Sequence, residues 1–348
     1  MPQLEPGSLT ALSARIFVSI GAPPEEAQLV AQELVRADLM GVYSHGVMRI
    51  PEYVRASETG DVKPGAKITI VEETPTTAIV DCGRNFGQVG AHHAVQVAIA
   101  KAKQSSVGCV VTRNCHHAGR VGAYAEAAAR QDMICLATVT VRRRGHFVTP
   151  WGGTQGRLGT NPVAYGVPTE GLPLVTDFAT SVIPEGAVRV ALKAGAKLPE
   201  FAAVDATGKP ILDPAQFYGP PIGALLPFGG NVGYKGYALA LLAEVLGGAL
   251  AGSSVEDETR SANGVWILVL DPAAFLPLAD FKRLTTGLVA YMKSSPPAEG
   301  QQVQVPGERE FRRLAESDGA VAVNDSTWLQ IQETARKLGV PVDVDEGD

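Results

Sequence analysis

The run TTAIVDCGRNFGQVGAHHAVQVAIAKAKQSSVGCVVTR, residues 76–113, changes its hydrophobic period twice. TTAIVDC reads as a strand, GAHHAVQVAIAKAKQ carries apolar residues at helical spacing, and VGCVVTR reads as a second strand. The alternation continues into the alanine-rich helix pattern VGAYAEAAARQ and the strand pattern ICLATVTV. Strand and helix in strict alternation specify an α/β core.

Working outward, PPEEAQLVAQELVRADL at 23–39 opens with prolines and acids, and Ala27, Val30, Ala31 and Leu34 recur at helical spacing, so the protein is expected to begin with an amphipathic helix. Beyond the core, glycine and proline crowd the segment from Pro150 to Gly236, a loop-rich region shaped by turns. YALALLAEVLGGALAG at 237–252 is expected to be a buried helix; it is too short to span a bilayer and is interrupted by Glu244. A strand VWILVLDP and helices near 280–293 and 326–338 follow, and the closing DVDEGD reads as a frayed, solvated tail. The expected division is an N-terminal helical segment with a substrate-site motif at 1–75, an α/β cofactor-binding core at 76–290, and a C-terminal helical segment at 291–348 packing back on the first.

The chain has 348 residues and a formal net charge of -6, so it can bury a large core and has little reason to meet nucleic acid; its only basic block is Arg142, Arg143 and Arg144. Cys82, Cys109, Cys115 and Cys135 form no CxxC and sit in apolar surroundings, as reduced thiols do, and MPQLEPGSLT lacks the features of a secretory signal. A cytoplasmic protein with no membrane partner is expected.

All six histidines fall between positions 45 and 146. The usual dinucleotide fingerprint is absent: neither GRNFGQVG (83–90) nor WGGTQGRLG (151–159) matches G-x-G-x-x-G, so a Rossmann domain is disfavoured, although glycine-rich loops can still approach phosphates. The pairs His92-His93 and His116-His117 lack the spacing of a metal site, and no metal is expected. His92 and His93, at the start of a predicted helix, read as capping or packing residues. In SHGVMRIPEYV (44–54), Ser44, His45, Arg49 and Tyr53 recur within ten residues; either one helix carries them on a common face, or Pro51 starts the helix and His45 lies in the turn before it. Such a set can bind a carboxylate and move a proton. His117 follows a strand, where α/β sheets present catalytic side chains, though a buried packing role for either member of the pair stays open.

Together SHGVMRIPEYV, RNCHHAGRVGAY, PWGG with LGTNP, DFATS, VRVALKAG with LPEFAAVDATGKPILDP, LPFGG with YKGYALALLAEVLGGALAG, and PGEREF resemble the type 2 malate/L-lactate dehydrogenase family, the sulfolactate dehydrogenase-like oxidoreductases. The resemblance implies an α/β, non-Rossmann fold with a mixed sheet core and N- and C-terminal helical parts. It implies a homodimer with the active site near the subunit interface. It also implies NAD- or NADP-linked reduction of small 2-oxo acids, or oxidation of 2-hydroxy acids, with reduction of the cyclic imines piperideine- and pyrroline-2-carboxylate as the alternative.

Position by position, the resemblance makes His117 the acid/base and His45 a second candidate, with Ser44, Arg49 and Tyr53 at the substrate. The cofactor cradle falls on Thr140, Thr160, Asn161, Asp177, Ala179, Thr180, Ser181, Lys235, Gly236, Pro306, Gly307 and Glu308. Two departures stand out. An arginine-rich insert replaces the family's TN before PWGG, and Arg142–Arg144 could meet an adenosine 2′-phosphate or an acidic substrate. Tyr234 replaces the histidine of the family's HKG. A metal-dependent hydrolase and a non-catalytic dimer are the competing classes.

Overall fold

The computed structural model describes residues 1–142, 145–252, 262–317 and 319–344; Arg143, Arg144 and the last four residues of the expected tail lie outside them. Strand β1 (Gln3–Leu4) leads into helix α1 (Pro6–Ser19), whose first N–H groups are capped by the Glu5 carboxylate. This helix precedes the one expected to come first. Its apolar stripe, Leu9, Leu12, Ile16 and Phe17, is fully buried, but it is diluted in sequence by serines, threonine and arginine. Next come α2 (Pro24–Leu39), two 3-10 turns at Tyr43–His45 and Val47–Arg49, and α3 (Ile50–Glu58). Pro51 sits in the first turn of α3, where its missing N–H costs nothing. His45 therefore lies before the helix, the second of the two arrangements open in sequence.

The core follows as β2 (Thr69–Glu73), β3 (Thr77–Asp81), α4 (Gly87–Ser105), β4 (Val107–Arg113), α5 (Gly122–Ala129), β5 (Ile134–Val141), β6 (Val163–Val167) and β7 (Leu174–Phe178). After it come α6 (Glu185–Ala194), β8 (Ala203–Val204), α7 (Pro214–Phe217), β9 (Ala224–Leu225), α8 (Tyr234–Ala243), β10 (Asn263–Leu270), α9 (Leu278–Lys293), α10 (Glu308–Glu316), β11 (Val321–Ala322) and α11 (Asp325–Lys337). The main sheet has seven strands in the order β2-β3-β4-β10-β5-β6-β7. Only β3 and β4 pair in parallel, joined by α4, so the sheet is mixed. Strand β10 inserts between β4 and β5 from more than a hundred residues away in sequence.

Among the described residues four apolar clusters form, the smallest being Met40, Val175 and Phe311. The first packs α4 and α5 against the sheet through Val95, Ala98, Tyr124, Val110 and Ile267. The second joins α1, α2 and α3 to Val321, Val323, Trp328 and Ile331 from the C-terminal end. A third, smaller one holds α6 and α7 over β8 and β9.

Two expectations are corrected here. His92 and His93 do not start a helix: α4 begins at Gly87, and His92 bonds Glu33 at 3.1 Å and lies edge-on to Tyr124. The stretch 237–252 is not one buried helix. It is α8 running into a π turn (Glu244–Gly248) and a 3-10 turn (Ala249–Ala251), with Leu241, Leu242, Val245 and Leu250 all 45–54% exposed. Apolar composition on all sides hid the fact that the fully buried positions are the small residues Ala240, Ala243, Gly247, Gly248 and Ala251, with Tyr237 packed partly buried on the third cluster. Among the described residues, no helix is long and apolar enough to cross a membrane.

Candidate active site

The loops after β3 and β4 run side by side, stitched by Cys82 N–H to Arg113 O (2.9 Å) and Arg84 N–H to Asn114 O (2.9 Å). This seats the His116–His117 turn at the C-terminal end of the parallel pair. Asn263, at the start of β10, fixes the turn from the other side: its N–H donates to Cys115 O (2.7 Å) and its Oδ1 accepts from Ala118 N–H (2.8 Å). A Cβ at Gly87 would collide with the carbonyls of His116 and His117, so α4 can approach the turn this closely only with glycine there.

The polar residues of the SHGVMRIPEYV motif converge on His117. The Tyr53 hydroxyl lies 2.7 Å from His117 Nδ1, and His45 stacks on the His117 ring with centroids 5.4 Å apart and planes 16° from parallel. Ser44 Oγ is 3.0 Å from His45 Nδ1. Arg49 is buried, its Nε donating to Ser44 O (2.7 Å) and one terminal nitrogen to Glu52 (2.6 Å). Arg189 of α6 approaches the same Glu52 at 3.8 Å. Among the described residues this leaves Nη2 of Arg49 without a partner, so an incoming carboxylate would share the guanidinium with Glu52.

Burial is the main cause that drives all three imidazoles toward the neutral form. His45 is pushed down to about 3, with help from Arg49 and Arg120, and His116 to about 4; His117 is held well below its ordinary value, Arg49 adding to its burial. Tyr53 is fully buried, and its hydroxyl is pushed above its ordinary value, so it stays a neutral donor and acceptor.

His45 opens onto a cavity of about 940 Å³, within the size range of small-molecule and cofactor sites. Ser44, Thr160, Asp177, Ala179, Pro306 and Gly307 share its lining, bringing together four separate stretches singled out in the sequence. Gly307 has φ +87°, and a Cβ there would come within 2.9 Å of Val175 O, so the 305–307 backbone lies tight against β7. Asp177 accepts from Gly122 N–H at 2.7 Å, and burial raises its carboxyl above the usual range.

Other positions of the implied cradle support this wall from behind. Thr180 donates to Asn161 O (3.0 Å), and Asn161 donates to Glu244 (2.9 Å). Ser181 closes its own turn on Ile183 O (2.8 Å). Glu308 caps toward Val305 N–H and pairs with Lys293 at 2.6 Å. Thr140 is buried in β5 beside Gly247 and Gly264. Lys235 is exposed and Gly236 packs on Phe228, both outside the cavity lining. Arg142 likewise lies outside it.

Arg120 and Gln88 went unassigned in sequence. Arg120 lines the cavity, and with Arg36 and Arg130 it places three guanidinium groups around the single buried carboxylate of Glu126. The signal for Arg120 was its position three residues after His117 in the same glycine-flanked turn. Gln88 donates to the Tyr53 hydroxyl at 2.8 Å. Among the described residues no group of three or more His, Cys, Asp or Glu is placed to hold a metal.

Comparison with known proteins places these features in context. The family described as malate/L-lactate dehydrogenase matches residues 4–332. The L-sulfolactate dehydrogenase of Methanocaldococcus jannaschii is 37% identical, covering 98% of both chains, and the malate dehydrogenase of Pyrococcus horikoshii is 34% identical, covering 94% of this chain and 88% of the other. Among solved structures, the M. jannaschii sulfolactate dehydrogenase superposes with a TM-score of 0.88 at 35% identity over 98% of each chain. The Δ1-piperideine-2-carboxylate reductase of Pseudomonas syringae does so with 0.83 at 30% identity, over 96% of this chain and 100% of that one.

Proposed function

Because the chain belongs to the malate/L-lactate dehydrogenase family, oxidoreductases acting on CH–OH groups, we propose that it interconverts a 2-oxo acid and its 2-hydroxy acid with NAD or NADP as the hydride carrier. The observation that carries this reading is the His45–His117 stack at the edge of a cavity that also gathers Thr160, Asp177, Ala179, Pro306 and Gly307.

That cavity suits such a cofactor: it is large enough, and Arg120 contributes positive charge in the 119–121 wall. When bound, the nicotinamide supplies the hydride that reduces C2. Thr160, Asp177, Ala179, Pro306 and Gly307 would hold the cofactor, while Thr180 and Asn161 brace the loops behind them.

Arg49 takes the 2-carboxylate and fixes the substrate against the histidine pair. The same contact offsets the Arg49 charge that adds to burial in keeping His117 neutral, so carboxylate binding favours proton uptake by His117. His117 then delivers that proton to the C2 oxygen, relieving the charge that develops there. His45, held by Ser44, stacks on the reacting imidazole and limits its motion. In the oxidative direction neutral His117 accepts the hydroxyl proton.

The likeness to the piperideine-2-carboxylate reductase supports a second reading, with a cyclic imine nitrogen in place of the carbonyl oxygen. The decisive experiment follows NADH and NADPH absorbance with pyruvate, oxaloacetate, sulfopyruvate and piperideine-2-carboxylate, with His117→Ala as control. Turnover of a 2-oxo acid that vanishes in the variant is expected. Turnover of the imine alone selects the second reading, and turnover that survives in the variant removes His117 from the chemistry.

A homodimer also belongs to this reading. Its support is α9, which buries no residue and exposes Leu284, Leu288, Tyr291 and Met292 at helical spacing, together with the exposed apolar residues of α8 and the turns after it.

A further inference from the structure

We propose that Gln88 is a positioning residue that sets which ring nitrogen of His117 carries the proton, acting through Tyr53; this rests on His117 being the acid/base. Gln88 lies in the first turn of α4 and is 1% exposed. Its Nε2 donates to the Tyr53 hydroxyl at 2.8 Å, and Tyr53 lies 2.7 Å from His117 Nδ1. An amide nitrogen can only donate, so Tyr53 accepts from Gln88 and its own proton points at His117 Nδ1. Nδ1 is then an acceptor, and the neutral imidazole carries its proton on Nε2.

A histidine held in that tautomer cannot take a proton at Nε2. To do so it needs its proton on Nδ1, which must donate to Tyr53; Tyr53 must in turn donate to something else. Gln88 Oε1 is buried and has no hydrogen-bond partner among the described residues. Rotating the amide by half a turn brings that orphan oxygen to the Tyr53 hydroxyl and reverses both bonds of the chain. Gln88 can thus serve the Nε2–H form in one orientation, and the Nδ1–H and doubly protonated forms in the other. The remaining groups facing His117 are His45, His116, Arg49 and Arg189, with Glu52 acting on both arginines. His116 Nδ1 is also buried without a partner, but its ring lies edge-on to Tyr53 with centroids 5.8 Å apart and makes no hydrogen bond to the hydroxyl, which Gln88 already contacts.

Two variants separate this from a packing role. Gln88→Glu offers Tyr53 only an acceptor and therefore favours protonated His117; Gln88→Met offers neither donor nor acceptor. The apparent pKa governing kcat/KM for 2-oxo acid reduction is expected to rise by at least one pH unit in Gln88→Glu and by less in Gln88→Met. Reduced rates with an unchanged pH profile in both would overturn the proposal. Independently of either variant's folding, 15N-histidine NMR of the wild-type protein, with the His117 signal identified by its loss in His117→Ala, should report the Nε2–H tautomer at neutral pH. An Nδ1–H signal would also overturn it. Failure of the His117 reading itself is seen separately, as turnover that survives in His117→Ala.

Discussion

Arg49 is the residue on which binding and proton transfer meet. It is buried, bonded to Ser44 O and paired with Glu52, and its charge adds to burial in holding His117 in the neutral form. Lysine would keep the charge but lose the planar fork. Arg49→Lys is expected to raise KM for the 2-oxo acid by about 10- to 100-fold, the scale of one or two charge-assisted hydrogen bonds at about 1.5–3 kcal/mol. An unchanged KM with a lowered melting temperature would reduce Arg49 to a structural pair with Glu52. Because burial, with Arg49 adding to it, holds His117 well below its ordinary value in the free protein, kcat/KM for hydroxy acid oxidation, which needs it neutral, should persist from about pH 7 down through the ordinary histidine range and fail only in stronger acid. A loss of rate already centred near pH 6.5 would contradict the field described here. At this scale the sequence was informative where chemistry-bearing residue types clustered: Ser44, His45, Arg49, Tyr53 and His117 do come together. Gln88 was invisible because a glutamine in a helix is ordinary until a fold shows what it touches, whereas Arg120 was marked only by its place in the His117 turn.

Among the elements, the short turns between α2 and α3 depend on Asp38. Its Oδ2 accepts from Val47 N–H at 2.8 Å and its carboxylate packs beneath Gly46, tying the His45 turn to the end of α2. Burial raises the Asp38 carboxyl from 3.8 to about 7. A group whose folded value is raised stabilises the fold fully below its unfolded value and loses that contribution as pH rises through the folded one. Asp38 should therefore cost stability progressively between about pH 4 and pH 7, by up to about 4 kcal/mol at about 1.4 kcal/mol per unit. Asp38→Asn keeps an acceptor for Val47 without the charge. Its melting temperature is expected to exceed that of the wild type above pH 7 and to match it near pH 4; parallel curves across that range would clear Asp38 of the effect. The core strands and α4 were readable because their periods are local. Strand β10 was readable as a strand, but its place between β4 and β5 was not, since pairing across the sheet leaves no local mark.

For the whole molecule, the exposed apolar side chains are the strongest statement about assembly. Leu284 is 54% exposed, Leu288 52% and Tyr291 72%, on a helix none of whose residues is fully buried. Leu241, Leu242, Val245 and Leu250, which sequence reading assigned to the interior, are also about half exposed. That assignment erred because an apolar side chain carries no local mark of whether its own chain covers it. Full burial of each such side chain is worth about 1.5–3 kcal/mol, so seven or eight of them together can outweigh an association cost of about 4–15 kcal/mol. A twofold contact buries each residue twice and needs only this one surface. Light scattering after gel filtration is therefore expected to give twice the chain mass of 36.4 kDa. Leu284→Glu combined with Leu288→Glu should halve that mass while leaving the secondary structure intact. A wild-type protein that runs as a monomer at micromolar concentration would reject the homodimer, and a double variant that still runs at twice the chain mass would move the contact away from α9.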